Sequence, residues 1–294
     1  MSQKIEGVLT AIVTTFDAQG DYADTAMRQQ IRRQLAAGNG IFCGGTNGEF
    51  FVLNEQEKLA VTQTCVDEVA GNAPVVAHIG EISTRETLRL GKQIARLGVD
   101  AVSVITPYFV PLKQQELITH YLTIADGLDV PLFLYNIPAR TGNTLEPETV
   151  RTLAAHPNII GIKDSAGSYE SLSGFIKAAE GMSNFTVLNG PDSLIHQGFV
   201  DGCSACISGL ANVAPKEINA IWAKFKAGDI TGSRLAQENV TGLRTELYSI
   251  GFSPAAVKKA LVLMGHEVGE SRYAVQFSPQ EEQQIRHIVN QYTQ

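Results

Sequence analysis

Eight short runs of apolar, strand-forming residues recur along the chain, and each gap between them is long enough for a helix. The runs are Val8–Thr14, Gly40–Cys43, Val75–Ile79, Ala101–Ile105, Leu132–Tyr135, Ile159–Lys163, Phe185–Asn189 and Ser204–Ser208. They are nearly continuous in apolar residues, the pattern of strands buried on both faces of a parallel sheet. The gaps carry helix punctuation. Thr25–Ala37 ends at Gly38, Glu55–Val69 follows Asn54 and closes near Gly71, and Thr84–Leu97 follows Ser83 and stops at Gly98. An Asn or Ser before a helix satisfies its first free N–H groups, and a glycine after it accepts the left-handed turn that ends it. Eight such units predict a (β/α)8 TIM barrel. The rival is a doubly wound sheet, but Val8–Thr14 runs into Thr15-Phe16-Asp17 without a G-x-G-x-x-G turn.

After the eighth run the alternation stops. Pro215–Lys226, Ile230–Ile250, Pro254–Met264 and Pro279–Tyr292 read as helices with no strands between them. The first is expected to complete a barrel over residues 1–228. The others form a C-terminal helical extension over 229–294, packed on the barrel because no Pro/Ser-rich linker separates it.

Composition narrows the function classes. Hydrophobic residues make up 44% of the 294, enough for a large core and incompatible with a disordered chain. The net charge of -7 gives no basic footprint for nucleic acid or anionic lipid. No apolar run reaches membrane-spanning length, and Met1–Glu6 has no secretory pattern, so a cytoplasmic protein is expected. The four cysteines include Cys203-Ser204-Ala205-Cys206, but no second pair exists for a zinc ribbon, and a redox pair would open a helix rather than a strand. They read as core cysteines. The six histidines lack metal-binding spacing, and His78, within the third run, reads as a satisfied core histidine.

Active sites of this fold lie at the C-terminal ends of the strands. Lys163 closes the apolar run Ile159-Ile160-Gly161-Ile162, so its stem enters a poorly solvated interior. Burial disfavours an ammonium, and a neutral amine attacks carbonyls. The plainer alternative is a lysine that snorkels outward or pairs with Asp164. Tyr135 ends the preceding run at the same level and is either an acid/base group or a packed ring. The glycine-rich Gly44-Gly45-Thr46-Asn47-Gly48 offers backbone N–H groups suited to a carboxylate, or is an ordinary turn. Arg140 is placed to pair with a second carboxylate, or lies on the surface.

Three segments in order, Gly45-Thr46-Asn47-Gly48-Glu49, Tyr135-Asn136-Ile137-Pro138-Ala139-Arg140-Thr141-Gly142 and Gly161-Ile162-Lys163-Asp164, resemble the dihydrodipicolinate synthase/N-acetylneuraminate lyase family over essentially the whole chain. The resemblance implies a class I lyase or aldolase acting on pyruvate through a Schiff base, without metal or cofactor, in a homotetramer built as a dimer of dimers. It implies that Lys163 forms the imine and Tyr135 is the acid/base group. Thr46 takes part in proton transfer and, with Asn47 and the following backbone, holds the pyruvate carboxylate. Gly190 and Ile207 line the substrate, and Arg140 matches the arginine that synthases use for the aldehyde's carboxylate. Asp192, with Ser193, is placed to meet a polyol, or else caps a helix starting at Ser193.

Two departures bear on the substrate. Thr46-Asn47 stands where the family usually has Ser/Thr-Thr. Phe109, after Tyr108, stands where synthases have a relay tyrosine that reaches the neighbouring subunit's site, and a phenyl ring passes no proton. Phe50, Phe51, Glu55 and Lys58 occupy the inhibitor position of lysine-regulated members, where the aromatics are expected to fill the site. The first expectation is cleavage of a 2-keto-3-deoxy sugar acid to pyruvate and an aldehyde. Dihydrodipicolinate synthase is second and N-acetylneuraminate lyase third. A 2-oxo acid sensor without turnover is the alternative outside catalysis.

Overall fold

The computed structural model describes residues 5–293, so Met1–Lys4 of the N-terminal segment lie outside the described residues. Eight parallel strands close into a barrel in chain order, β1 Gly7–Ala11, β2 Gly40–Cys43, β3 Val75–His78, β4 Ala101–Ile105, β5 Leu132–Asn136, β6 Ile159–Asp164, β7 Thr186–Asn189 and β8 Ala205–Ser208. β8 pairs with β1 to complete the ring. The intervening helices are α1 Asp24–Ala36, α2 Glu55–Val69, α3 Thr84–Ala95, α4 Gln114–Asp126, α5 Pro138–Thr141, α6 Pro147–Leu153, α7 Tyr169–Ala178, α8 Ile195–Val200 and α9 Pro215–Lys226. Caps stand where the sequence signals them: Asn54 closes a capping box with Glu57, and Ser83 accepts from the Glu86 N–H.

One boundary moves for a tertiary reason. The first apolar run continues to Thr14, yet β1 ends at Ala11. The Val13 N–H is taken by the Asn212 side chain at 3.0 Å, and Thr14 Oγ1 donates to the Gly48 carbonyl at 2.7 Å. The chain therefore peels from the sheet to meet the loops after β8 and β2.

Strand alternation sorts the core into two layers. Leu9, Phe42, Val76, Phe133, Leu188 and Ile207 fill the barrel interior, while Ile41, Ala77, Val102, Leu134 and Ile162 face the helices. Gly161 is inward, and the Phe133 ring occupies the space its missing side chain leaves. Lys163, two residues on, shares that inward face above an apolar plug.

The chain continues in α10 Ile230–Ser249, α11 Ser253–Leu263 and α12 Pro279–Tyr292. Val240, Leu243, Val257, Leu261, Ile285 and Ile288 share one core with Val8 of β1 and Ile218 and Ile221 of α9. α10 and α11 thus stand beside the barrel mouth. Among the described residues no helix is long and apolar enough to cross a membrane.

Candidate active site

At the C-terminal end of the strands lies a cavity of about 220 Å³, and Lys163, Tyr135, Thr46, Asn47, Arg140, Gly190, Asp192 and Ile207 all line it. β5–β6 register sets Tyr135 directly beside Lys163. Lys163 is 4% exposed, with Nζ 3.9 Å from the centroid of the Tyr135 ring and 4.4 Å from that of Phe42. No carboxylate pairs with it among the described residues. Asp164 points to the other face of β6, where its Oδ1 accepts from Asn136 Nδ2 at 2.9 Å and from the Ala166 N–H at 3.2 Å. The alternative that Lys163 pairs with Asp164 is corrected: strand alternation separates them.

Across the cavity Thr46 Oγ1 lies 3.2 Å from the Tyr135 hydroxyl. The loop that carries Thr46 is shaped by glycine. A Cβ on Gly45 would lie 2.4 Å from the Phe42 ring. The N–H groups of Thr46 and Asn47 donate to no other group of the described chain, whereas those of Glu49 and Phe50 turn back onto Thr46 and Gly45. Two adjacent free N–H groups beside a hydroxyl make an anion cradle. Gly190 is equally constrained, since a Cβ there would meet Ser165 Oγ at 2.0 Å.

Asp192 borders the cavity, and the helix-cap reading of it is corrected. It lies inside a 3-10 turn, Asp192–Leu194, and caps no helix. Its carboxylate is 5% exposed and accepts from Ser208 Oγ at 2.5 Å, from the Tyr248 hydroxyl at 3.0 Å and from the Leu210 N–H at 3.3 Å. Burial raises its pKa, against the lowering by Ser208 and Tyr248. It ties β8 and α10 into one wall.

His78 is buried as expected but is not satisfied: neither ring nitrogen makes a hydrogen bond of good geometry. It faces inward beneath the cavity, edge to face with Tyr135 at 5.9 Å and Phe50 at 4.7 Å. Burial first, and the charge of Lys163 second, depress its pKa to about 3. Of the two aromatics expected to fill the neighbouring position, Phe50 is buried against His78 and Tyr108, but Phe51 is 43% exposed and leans on Tyr273. Lys58 pairs with Glu81 there. Cys203 and Cys206 are buried free thiols, with pKa values raised chiefly by burial.

Sequence reasoning missed Arg244 and Tyr248, which reach the same cavity from α10. On an amphipathic helix an arginine carries no local mark distinguishing a cavity wall from a solvated face.

An interior lysine beside a tyrosine, with free N–H groups opposite, at the mouth of a (β/α)8 barrel is an arrangement suited to amine chemistry on a carbonyl. The chain belongs to the dihydrodipicolinate synthetase family, whose model matches residues 4–292. Its members are pyruvate-dependent class I lyases and aldolases, and this chain is an enzyme of that class. It is 36% identical to an uncharacterised DapA-like lyase of Halobacterium salinarum, over 91% of this chain and 87% of that one. It is 35% identical to the 4-hydroxy-tetrahydrodipicolinate synthase of Methanopyrus kandleri, over 90% of this chain and 88% of that one. Among solved structures, a prophage protein of the dihydrodipicolinic acid synthase family from E. coli K12, in complex with pyruvate, superposes with a TM-score of 0.93 at 28% identity, covering 99% of both chains.

Proposed function

We propose that the enzyme cleaves a 2-keto-3-deoxy sugar acid to pyruvate and an aldehyde in the cytoplasm, with Lys163 as the Schiff-base nucleophile. The observation that carries this reading is the buried, carboxylate-free amine of Lys163 against the Tyr135 ring. The substrate carboxylate sits on the N–H groups of Thr46 and Asn47, which turns its C2 carbonyl toward Nζ. The amine adds to C2, and Tyr135 gives its phenol proton to the departing hydroxyl, so that loss of water leaves the protonated imine beside the Tyr135 phenolate. Tyr135 then takes the proton of the C4 hydroxyl, the C3–C4 bond breaks, and its electron pair passes into the enamine. The aldehyde leaves. C3 is protonated, Tyr135 returning its proton with Thr46 Oγ1 alongside, and water hydrolyses the imine to free pyruvate and the amine. Gly190 and Ile207 bound the substrate, while Asp192 acts by holding the β8–α10 wall.

The second reading is a 4-hydroxy-tetrahydrodipicolinate synthase condensing pyruvate with aspartate semialdehyde, the activity named for the Methanopyrus relative. Arg140 favours it, since its guanidinium borders the cavity without a carboxylate partner among the described residues. Phe109 opposes it. Its ring is 91% exposed, on a residue at φ 74°, and supplies no hydroxyl to a proton relay. Strain of this kind is retained where something over-determines it. Phe51, Ile82 and Val110, which follow β2, β3 and β4, are also each more than two-fifths exposed. Exposed apolar side chains at this end of the barrel support assembly with further copies, in the homotetramer we propose.

Turnover of 2-keto-3-deoxy sugar acids and of pyruvate plus aspartate semialdehyde, by the native enzyme and by Phe109→Tyr, tests the ranking. Cleavage is expected to dominate, with Phe109→Tyr neutral or slower. High native ring-forming activity, or a gain in it from the tyrosine, makes the synthase reading the right one.

A further inference from the structure

Tyr135 and Lys163, which face inward, are each followed in sequence by an outward-facing polar residue, and those two side chains are joined. β5 and β6 set Asn136 opposite Asp164, one step beyond Tyr135 opposite Lys163. Both are fully buried, and neither borders the cavity. Asn136 Nδ2 donates to Asp164 Oδ1 at 2.9 Å. The other bonds of the pair run to the loops. Asn136 Oδ1 accepts from the Leu145 N–H at 3.0 Å, which ties the loop carrying Ile137 and Arg140 back to the end of β5. Asp164 Oδ1 also accepts from the Ala166 N–H at 3.2 Å, in the loop carrying Ser165 and Gly167. The main-chain carbonyls of the pair accept from the Ser165 and Gly190 N–H groups, each at 2.8 Å. Burial raises the Asp164 pKa, and the bond from Asn136 leads the effects that lower it, ahead of Ala166 and Ser171. An apolar pair would cover this part of the sheet without desolvating a carboxyl, so packing alone does not account for it. The ladder below is irregular: Leu132 pairs with Ile159 but Phe133 with Gly161, so Ile160 is skipped. Such a bulge disrupts the ladder locally and re-aims the side chains beyond it.

We propose that Asn136 is a positioning residue: through Asp164 it fixes the height of Tyr135 against Lys163 and locks together the loops after β5 and β6 that border the cavity. The proposal rests on the Schiff-base reading and adds what holds its two reacting groups in register. The bulge in β6 leaves that register to be set above it, and the Asn136–Asp164 bond sets it at the level where the phenol and the amine meet. A misplacement of about 1 Å between groups that exchange a proton is enough to cost about 100-fold in rate.

Pyruvate alone serves for the test. On its imine the Tyr135 phenolate removes a C3 proton, the electron pair of that C–H bond passes into the enamine, and return of a deuteron from D2O to C3 labels the methyl group, which NMR follows. The exchange rate at saturation, the half-saturating pyruvate concentration, the borohydride adduct and the melting transition are measured on the native enzyme and four variants. Asn136→Asp keeps the acceptor for Leu145 but loses the donor and sets two carboxyls against each other. It is expected to slow exchange at saturation about 10- to 100-fold. The adduct should still form on Lys163, with half-saturation moved by less than about threefold. The swap Asn136→Asp/Asp164→Asn remakes the bond in the opposite sense and is expected to recover most of the loss, as a coupled pair does. Asp164→Asn keeps an acceptor for Asn136 and is expected to lose less than Asn136→Asp. Asn136→Ser keeps the test open if Asn136→Asp does not fold: water in the space it opens serves the buried polar groups, the cross-strand bond is gone, and the same slowing is expected. Exchange within about threefold of native in both Asn136→Asp and Asn136→Ser overturns the proposal. So does a loss confined to half-saturation, a folded swap as slow as Asn136→Asp, or Asp164→Asn slower than Asn136→Asp. Failure to trap pyruvate on the native enzyme is a separate outcome and overturns the Schiff-base reading instead.

Discussion

Lys163 and Tyr135 meet because both face inward at the same height of adjacent strands, and that much is legible from two apolar runs ending in polar residues. What the runs do not show is the surround. Tyr135 is 2% exposed, with its hydroxyl against Thr46 and its ring under the lysine, so Tyr135→Phe removes one oxygen and little packing. A fall in kcat of about 10²–10⁴ is expected, with an unchanged melting transition. A fall below about tenfold means that the ring only packs. His78 is the residue where sequence reasoning stopped short, because an unsatisfied imidazole is visible only once its neighbours are in place. Its folded pKa, near 3, lies below the usual value of 6.5. As pH falls through 6.5 the unfolded chain binds a proton that the folded ring refuses. The associated stability is complete above that pH and is lost between about 6.5 and 3, at roughly 1 kcal/mol per pH unit. His120, depressed to about 4 by burial, acts in the same direction. Urea unfolding at pH 7 and pH 5 should show a smaller loss in His78→Phe than in the native protein. Identical losses mean that His78 titrates normally.

At the scale of elements, the loop after β2 is fastened from outside the barrel. Glu49 sits at φ 57°, a left-handed conformation uncommon for its type. Its Oε1 accepts from Lys258 Nζ of α11 at 2.6 Å, both side chains being 1% exposed, and its Oε2 accepts from the Arg272 N–H at 3.0 Å. Lys258 Nζ and the Arg272 guanidinium both lie against the Phe16 ring, at 3.9 and 4.0 Å from its centroid. Burial, opposed by Glu49, lowers the Lys258 pKa to about 8. The C-terminal helices thus clamp the base of the loop that carries Thr46. Lys258→Met leaves a buried carboxylate unpaired, and a loss of about 3–5 kcal/mol in unfolding free energy is expected. Adding Glu49→Leu should restore much of it, because an apolar pair carries no desolvation cost. If the double variant is no more stable than the single one, the pair is not the source of the loss. Helix starts such as Asn54 and Ser83 were readable because caps are local signals. The early end of β1 and the seat of Arg244 were not, because each depends on partners distant in sequence, Asn212 for Val13 and the barrel mouth for α10.

For the whole molecule, the spacing of apolar runs was enough to specify a closed barrel, since eight doubly buried parallel strands leave few other ways to cover both faces. The same spacing says nothing of which arginines border the mouth, or of why Phe109 stands out into solvent on a strained residue. Those features belong to tertiary geometry. The central claim is that one lysine, held inside the barrel at the end of β6, does the covalent chemistry. Incubation with pyruvate, reduction with borohydride and peptide mass spectrometry tests it most directly. The account predicts a single reduced adduct on Lys163, absent from Lys163→Ala and from Lys163→Arg, whose guanidinium stays charged. An adduct on another lysine, or none on the native enzyme under conditions where it turns over, contradicts it.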